Sequence, residues 1–142
     1  MRYVPGTDVV TSAFRGRAGA SRAWLRAALQ GEIVVLLSVP LVIQYEEVLT
    51  RPEHLAAAGT DTRTVLRILD ALCTVGEHVD VSFLWRPVLS DASDEMVLEA
   101  ALNGRVDLLL TFNERDFSGA KRFAVMVSKP GPAWRNGKEQ KS

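Results

Sequence analysis

The residues best suited to chemistry lie in the run Ser90-Asp91-Ala92-Ser93-Asp94-Glu95-Met96-Val97-Leu98. Asp91 and Asp94 stand three apart at the opening of an apolar run with helical period, so their carboxylates project together from a helix N-terminus. The free N–H groups of such a terminus carry partial positive charge and favour anions in the first turn. Paired carboxylates also suit a hydrated Mg2+ or Mn2+, since these hard cations take carboxylate oxygens and keep several waters. The same spacing describes a plainer arrangement, with Asp91 as N-cap and Asp94 as an acidic first-turn residue. Local pattern leaves both open.

Positioning such a pair requires a scaffold, and the rest of the chain supplies one. Residues 2–5 read as a short strand that Gly6-Thr7-Asp8 ends, and residues 9–14 as a first helical turn before a loop over 15–19. A helix is predicted over 21–30, with Ser21 as N-cap, Trp24, Leu25, Ala28 and Leu29 on one face and Gly31 as its stop. Ile33-Val34-Val35-Leu36-Leu37 reads as a buried parallel strand, and a helix over 41–50 ends at Pro52. A longer amphipathic helix runs from residue 60 or 61 to 75, with Val65, Ile68, Leu69 and Leu72 inward. A strand or connector follows over 79–83. The helix after Asp91 reaches Asn103-Gly104, where the glycine reads as a stop. Strands are predicted over 106–111 and 123–127, and 131–142 as a flexible polar tail beyond a domain of residues 1–130.

Strands alternating with helices indicate an α/β fold with a parallel sheet. Ligands of such sheets bind beyond the carboxyl ends of the strands. Three polar clusters are expected there: Gly6-Thr7-Asp8, Asp91 with Asp94, and Thr111-Phe112-Asn113-Glu114-Arg115-Asp116. They are far apart in sequence and should converge in space.

Composition narrows the classes. At 142 residues with 47% apolar and 24% charged positions, the chain suits one globular domain and carries no disorder signature. No run approaches the roughly 18 apolar residues of a membrane span, and the N-terminus does not read as a signal peptide. The single Cys73, among Leu69, Leu72 and Val75, reads as a buried thiol, so disulfide and zinc frameworks are excluded and a reducing cytoplasm is the expected home. Net charge is zero, which excludes bulk electrostatic attraction to nucleic acid. No acid lies between Asp8 and Glu32, however, and that stretch carries Arg15, Arg17, Arg22 and Arg26. A local face for phosphates and a solvated helix flank both fit it.

The ordered motifs Thr7-Asp8-Val9-Val10, Tyr45-Glu46-Glu47-Val48-Leu49-Thr50-Arg51-Pro52, Phe83-Leu84-Trp85-Arg86-Pro87, Asp91 through Asn103-Gly104, and Leu110-Thr111-Phe112-Asn113 with Asp116-Phe117 resemble PIN domains. The resemblance is to the subgroup related to VapC-type toxins of bacterial toxin–antitoxin pairs, and it extends to about Pro130. It implies a PIN-like three-layer α/β/α sandwich with a central parallel sheet. It implies Mg2+- or Mn2+-dependent endonucleolytic cleavage of RNA, a cognate antitoxin as partner, and a homodimer. Apolar helices such as those bearing Trp24-Leu25 and Val65-Ile68-Leu69 are consistent with the dimer. By the same resemblance Asp91, Asp94, Asn113 and Asp116 hold the catalytic positions, with Asp91, Asp94 and Asp116 toward metal and Arg15, Arg17 and Arg22 toward RNA. No nucleophilic Ser, Cys or His is required; His54 and His78 read as surface residues.

Two departures bear on that expectation. Relatives usually carry acids where this chain has Gly6 and Gln44. Losing two carboxylates weakens cation binding, so metal should be held weakly or not at all. Asp8 and Glu47 are the candidate compensating acids, although Asp8 also reads as an N-cap for the turn that follows it. The expected function is a PIN-type ribonuclease with an impaired site. The alternative is an inactive PIN-fold module that binds RNA or protein. A flavodoxin-like domain with an acidic pocket is a weaker third.

Overall fold

Strand β1 (Arg2–Pro5) is paired on both sides, and everything else is arranged around it. Val4 and Tyr3 are buried, which an apolar strand achieves only when both faces of the sheet are covered. Its neighbours are β2 (Val34–Leu37) and β4 (Leu108–Leu110), and the edges are β3 (Glu77–His78) and β5 (Val127–Ser128). All pairings are parallel and the order is β3-β2-β1-β4-β5. The computed structural model describes residues 1–16, 19–81, 89, 91–123 and 125–141.

Parallel strands need crossovers, and helices supply them: α1 (Thr7–Arg15) and α2 (Ala20–Leu29), then α3 (Val39–Leu49), α4 (Pro52–Ala58) and α5 (Thr62–Val75), then α6 (Ala92–Gly104). A 3₁₀ segment, Glu114–Phe123, leads to β5, and α7 (Pro130–Lys141) closes the chain. Strand addition reverses direction after β3, so right-handed crossovers put α6 on the opposite face from α2 and α5. The packing agrees. Helix α2 contacts α5 and α7, while α6 packs on β1, β2 and β4 and on the 3₁₀ segment. This is the three-layer α/β/α sandwich around a parallel sheet that the sequence implies. Among the described residues no helix is long and apolar enough to cross a membrane.

Buried aromatics tie the layers together. The Tyr3 and Trp24 rings lie 4.9 Å apart, and Trp24 meets Trp134 of α7 edge-on at 5.4 Å. The Trp24 indole N–H donates to the Pro130 carbonyl at 3.0 Å, so a buried polar edge is satisfied where α7 begins. On the far side of β1 the wholly buried Tyr45 hydroxyl donates to the Pro5 carbonyl, which fixes α3 against the strand end. Burial drives the Tyr45 hydroxyl well above its ordinary pKa, with smaller contributions from Tyr3 and Asp8.

Several local expectations give way. The turn predicted over 9–14 is a full helix from Thr7, capped by Gly6 and not by Asp8. Ser21 is buried inside α2, which starts at Ala20 after Gly19. Pro52 does not simply end α3; its fixed φ and missing N–H suit a first helical turn, and it opens α4. Pairing of β3 precedes the predicted 79–83, although Val79 N–H still donates to the Leu37 carbonyl at 2.8 Å; residues 82–88, with the 83–87 motif, lie outside the described residues. The last strand starts at Val127, after Phe123 has ended the 3₁₀ segment. The polar segment 131–142 is helical as far as Lys141 because Trp134 has an aromatic partner in α2.

Gly104 is the last residue of α6 and not its stop; the left-handed position falls on Arg105, at φ 51°. A Cβ at 104 would run into Leu36 Cδ2 and come within 3.0 Å of Val79 Cγ2, so the glycine permits close approach of helix to strand. Cys73 is exposed, since the buried face of α5 is Val65, Leu69 and Leu72 and Cys73 lies to its side. Trp24, Val65 and Leu69 belong to the core of this single chain, so they offer no surface to a second copy. The exposed large apolar residues of α3 are Val39 and Ile43 instead.

Tyr45→Phe tests the junction of α3 and β1. Without its buried donor the Pro5 carbonyl is left short of a partner, at a cost of about 1–3 kcal/mol. Urea denaturation should show that loss with an unchanged slope.

Candidate acidic site at the strand ends

Helix α6 begins as its first residues dictate. Asp91 is the N-cap, and its Oδ1 accepts from the N–H groups of Ser93 (2.8 Å) and Asp94 (3.3 Å). The capping role read from the sequence is therefore real. It engages one oxygen of Asp91, which is exposed. Asp94 follows in the first turn, and next to it Glu95 accepts from the Leu89 N–H.

Asp94 reports what surrounds it. Its pKa is raised from 3.8 to about 6, first by partial burial and then by the charges of Asp91, Asp116, Asp8 and Glu95, in that order. Charges act at this strength only over short distances. Carboxylates from the start of α1, the start of α6 and the 3₁₀ segment after β4 thus share one region at the carboxyl ends of the central strands. Glu99, one turn along α6, is also raised, by burial and then by Glu95. The region is acidic, and among the described residues the ion pairs, Arg2–Glu77 and Arg51–Glu47, involve none of these carboxylates.

The other expected positions fall nearby. Gln44 of α3 donates from Nε2 to Ser93 Oγ at 3.0 Å, which puts it against the α6 N-terminus. Gly6 N–H donates to the Leu110 carbonyl at 2.7 Å, at the end of β4. Asn113 N–H donates to Thr111 Oγ1 at 3.1 Å, and Asp116 N–H to the Asn113 carbonyl at 3.0 Å. Both side chains are exposed, and the buried Phe117 beside them anchors the segment.

Asp8 is differently employed. Its Oδ1 accepts from Val9 N–H (2.8 Å), while its Oδ2 accepts from Thr111 Oγ1 (3.1 Å) and Phe112 N–H (2.9 Å). Glu47 pairs with Arg51 at 2.9 Å on the exposed side of α3 and is not among the charges that raise Asp94. Arg15 and Arg22 both have partners within the chain. Arg15 meets His54 Nδ1 at 2.6 Å, which gives that half-buried histidine a partner, and Arg22 donates to the Gly16 carbonyl. Arg22 and Arg26 line an open cleft of about 320 Å³ beside Trp134. Arg17 lies outside the described residues.

Thr111, Ser93 and Glu95 stood within the expected clusters but were given no role of their own. Thr111 is almost fully buried and links Asp8 to Asn113, and its signal was a hydroxyl directly after the triple-leucine strand. Ser93 and Glu95 stood beside the aspartates and were passed over for them.

The PIN domain family model matches residues 2–115. The chain belongs to the PIN domain family. No curated protein matches it. PIN domains are of nuclease type, bind RNA and generally use divalent metals, so the donor set can be tested against such an ion. Among the described residues no group of three or more Asp, Glu, His or Cys is placed to hold one. Residues 6 and 44 bring no charge, Asp8 has both oxygens committed to N–H and O–H donors, and Asp91 spends one on its cap. Asp94, with a pKa near 6, still keeps a fraction of its proton just below neutrality. The residues present do not fit a divalent cation as they stand.

The raised Asp94 makes a pH prediction. The folded protein holds its proton between pH 3.8 and about 6 while the unfolded chain has lost it, so this group costs stability as pH rises through that window. Asp94→Asn removes the cost. The difference in stability between variant and parent should grow in the variant's favour from about pH 4 to about 6 and stay level above. A difference independent of pH would refute the crowding of carboxylates.

Proposed function

We propose that the chain is a PIN-domain endoribonuclease of the toxin type, with RNA phosphodiesters as its substrate class and Mg2+ or Mn2+ as the family's cofactor, whose centre is impaired as the sequence stands. The observation that carries the proposal is the crowding of Asp8, Asp91, Glu95 and Asp116 on Asp94 at the strand ends. Uncompensated carboxylates are costly to assemble and recur where a fold has a chemical use for them. Asp91, Asp94, Asn113 and Asp116 are the residues proposed for the catalytic positions, and Asp91, Asp94 and Asp116 for metal. Gly6 and Gln44 account for the impairment, with binding weak or absent in the parent chain. Arg15, Arg17 and Arg22 are proposed to contact the RNA backbone, a term that weakens with salt.

A non-catalytic binding module is the second reading, and a specific observation favours it. The acid nearest the missing position, Asp8, is spent on internal hydrogen bonds. Either reading admits a cognate antitoxin, a cytoplasmic site of action and a homodimer. Exposed Val39 and Ile43 of α3 give apolar surface for the dimer. Sedimentation of a monomer at micromolar concentration, unchanged by Ile43→Asp, would remove the dimer.

The deciding experiment is an RNase assay on a panel of structured RNAs with EDTA controls. The parent chain should give little or no EDTA-sensitive cleavage. Acids restored at both positions, with the residue 8 side chain cut back to make room (Gly6→Asp, Asp8→Ala, Gln44→Glu), should bring Mg2+-dependent cleavage. Asp91→Asn should abolish it while keeping helix α6, because Asn caps as well as Asp. Strong EDTA-sensitive cleavage by the parent refutes the impairment. An inactive restored chain that still binds RNA or a protein partner gives the function to the binding module.

A further inference from the structure

Gly6 looks at first like a simple loss of a side chain. Its backbone angles, φ −65° and ψ 160°, are open to any residue, so conformational freedom does not explain a glycine there. Space does. A Cβ on residue 6 would lie 2.7 Å from Asp8 Oδ1 and 3.1 Å from the Leu110 carbonyl oxygen, with Thr111 Cβ at 3.7 Å. The nearest obstacle to a side chain at position 6 is the carboxylate two residues further on.

That carboxylate is not free to move aside. It accepts from two backbone N–H groups and one hydroxyl, and hydrogen bonds to an ionised acceptor are the stronger kind. Two of its donors, Thr111 and Phe112, are 103 and 104 residues away in sequence. They belong to the exit of β4, which leads to Asn113 and Asp116.

We propose that Gly6 and Asp8 form one coupled unit, in which the Asp8 carboxylate fills the space of a residue-6 side chain and clasps the end of β1 to the exit of β4. Asp8 is then a positioning residue for the Thr111–Asn113 turn, not a replacement ligand. Gly6 is the condition for it. An acid at position 6 and the clasp exclude each other, so restoring the family's acid without releasing Asp8 sets two carboxylates against one space. The clasp stands on geometry alone; its consequence for metal rests on the nuclease reading above.

A double-mutant cycle tests the unit. Gly6→Ala should lower the thermal midpoint by roughly 4 °C or more, and Asp8→Ala should lower it also. The double variant should melt close to Asp8→Ala alone, since the new methyl enters space that the carboxylate has left. Losses that simply add, or a Gly6→Ala chain as stable as the parent, overturn the proposal. Amide hydrogen exchange supplies a second readout. The Phe112 amide bonds Asp8 and not residue 6, yet Gly6→Ala should speed its exchange roughly tenfold or more, and unchanged protection there overturns the clasp. If Asp8→Ala does not fold, this measurement on Gly6→Ala decides alone.

Calorimetric titration with Mn2+ addresses the consequence. Gly6→Asp with Gln44→Glu should bind little better than the parent, and adding Asp8→Ala, which empties the contested space, should tighten binding roughly tenfold or more. Equal, tight binding by both overturns mutual exclusion. Failure of both to bind, with a non-additive cycle, leaves the clasp standing and counts against the metal-dependent reading instead.

Discussion

A parallel strand in the middle of a sheet has its backbone claimed along its length, but its last residues must find partners elsewhere. In this chain the end of β1 is the point on which the architecture depends. Gly6 N–H reaches Leu110, the Pro5 carbonyl takes the Tyr45 hydroxyl, and Asp8 reaches Thr111 and Phe112. Through these bonds α1, α3 and β4 are referred to one short stretch of backbone. The strand order changes direction between β1 and β4, so this is also the crevice where open α/β sheets expose their ligand-binding ends. Structural closure and the candidate site draw on the same atoms, and their demands compete for Asp8.

The acidic region shows a second tension. Partial burial and the charges of aspartates from three segments together raise the proton affinity of Asp94. In a PIN domain of ordinary composition a divalent cation offsets that repulsion. Here Gly6 and Gln44 lie beside the acids and bring no charge of their own, so they add neither repulsion nor anionic donors.

Much of this was legible in the sequence where one physical requirement dominated. Apolar runs gave β1, β2 and β4, and the cap of α6 followed from Asp91 and the period after it. Elements defined by a distant partner were not legible. Helix α7 looks like a polar tail until Trp134 is seen against Trp24, and β5 is two residues long. Pro52 was correctly taken as a break, but a proline that ends one helix also suits the first turn of the next. Gly104 was misjudged as a stop, because a glycine kept for close approach leaves no local trace; its cause lies in Leu36 and Val79. The site residues were named from type and order, while the commitments of Asp8 and Glu47 to internal partners needed coordinates.

The family match ends at Arg115, and the aromatic stack does not. Trp24, deep in the matched part, gives its indole proton to Pro130 and its ring edge to Trp134, while β4 takes its outer partner from Val127 and Ser128. A fragment cut at the family boundary would carry every proposed acid except Asp116. It would also carry a bare sheet edge and a buried indole with nothing to accept its proton. The segment recognised by kinship is smaller than the packed unit, and the difference is most of the 3₁₀ segment with the last strand and helix.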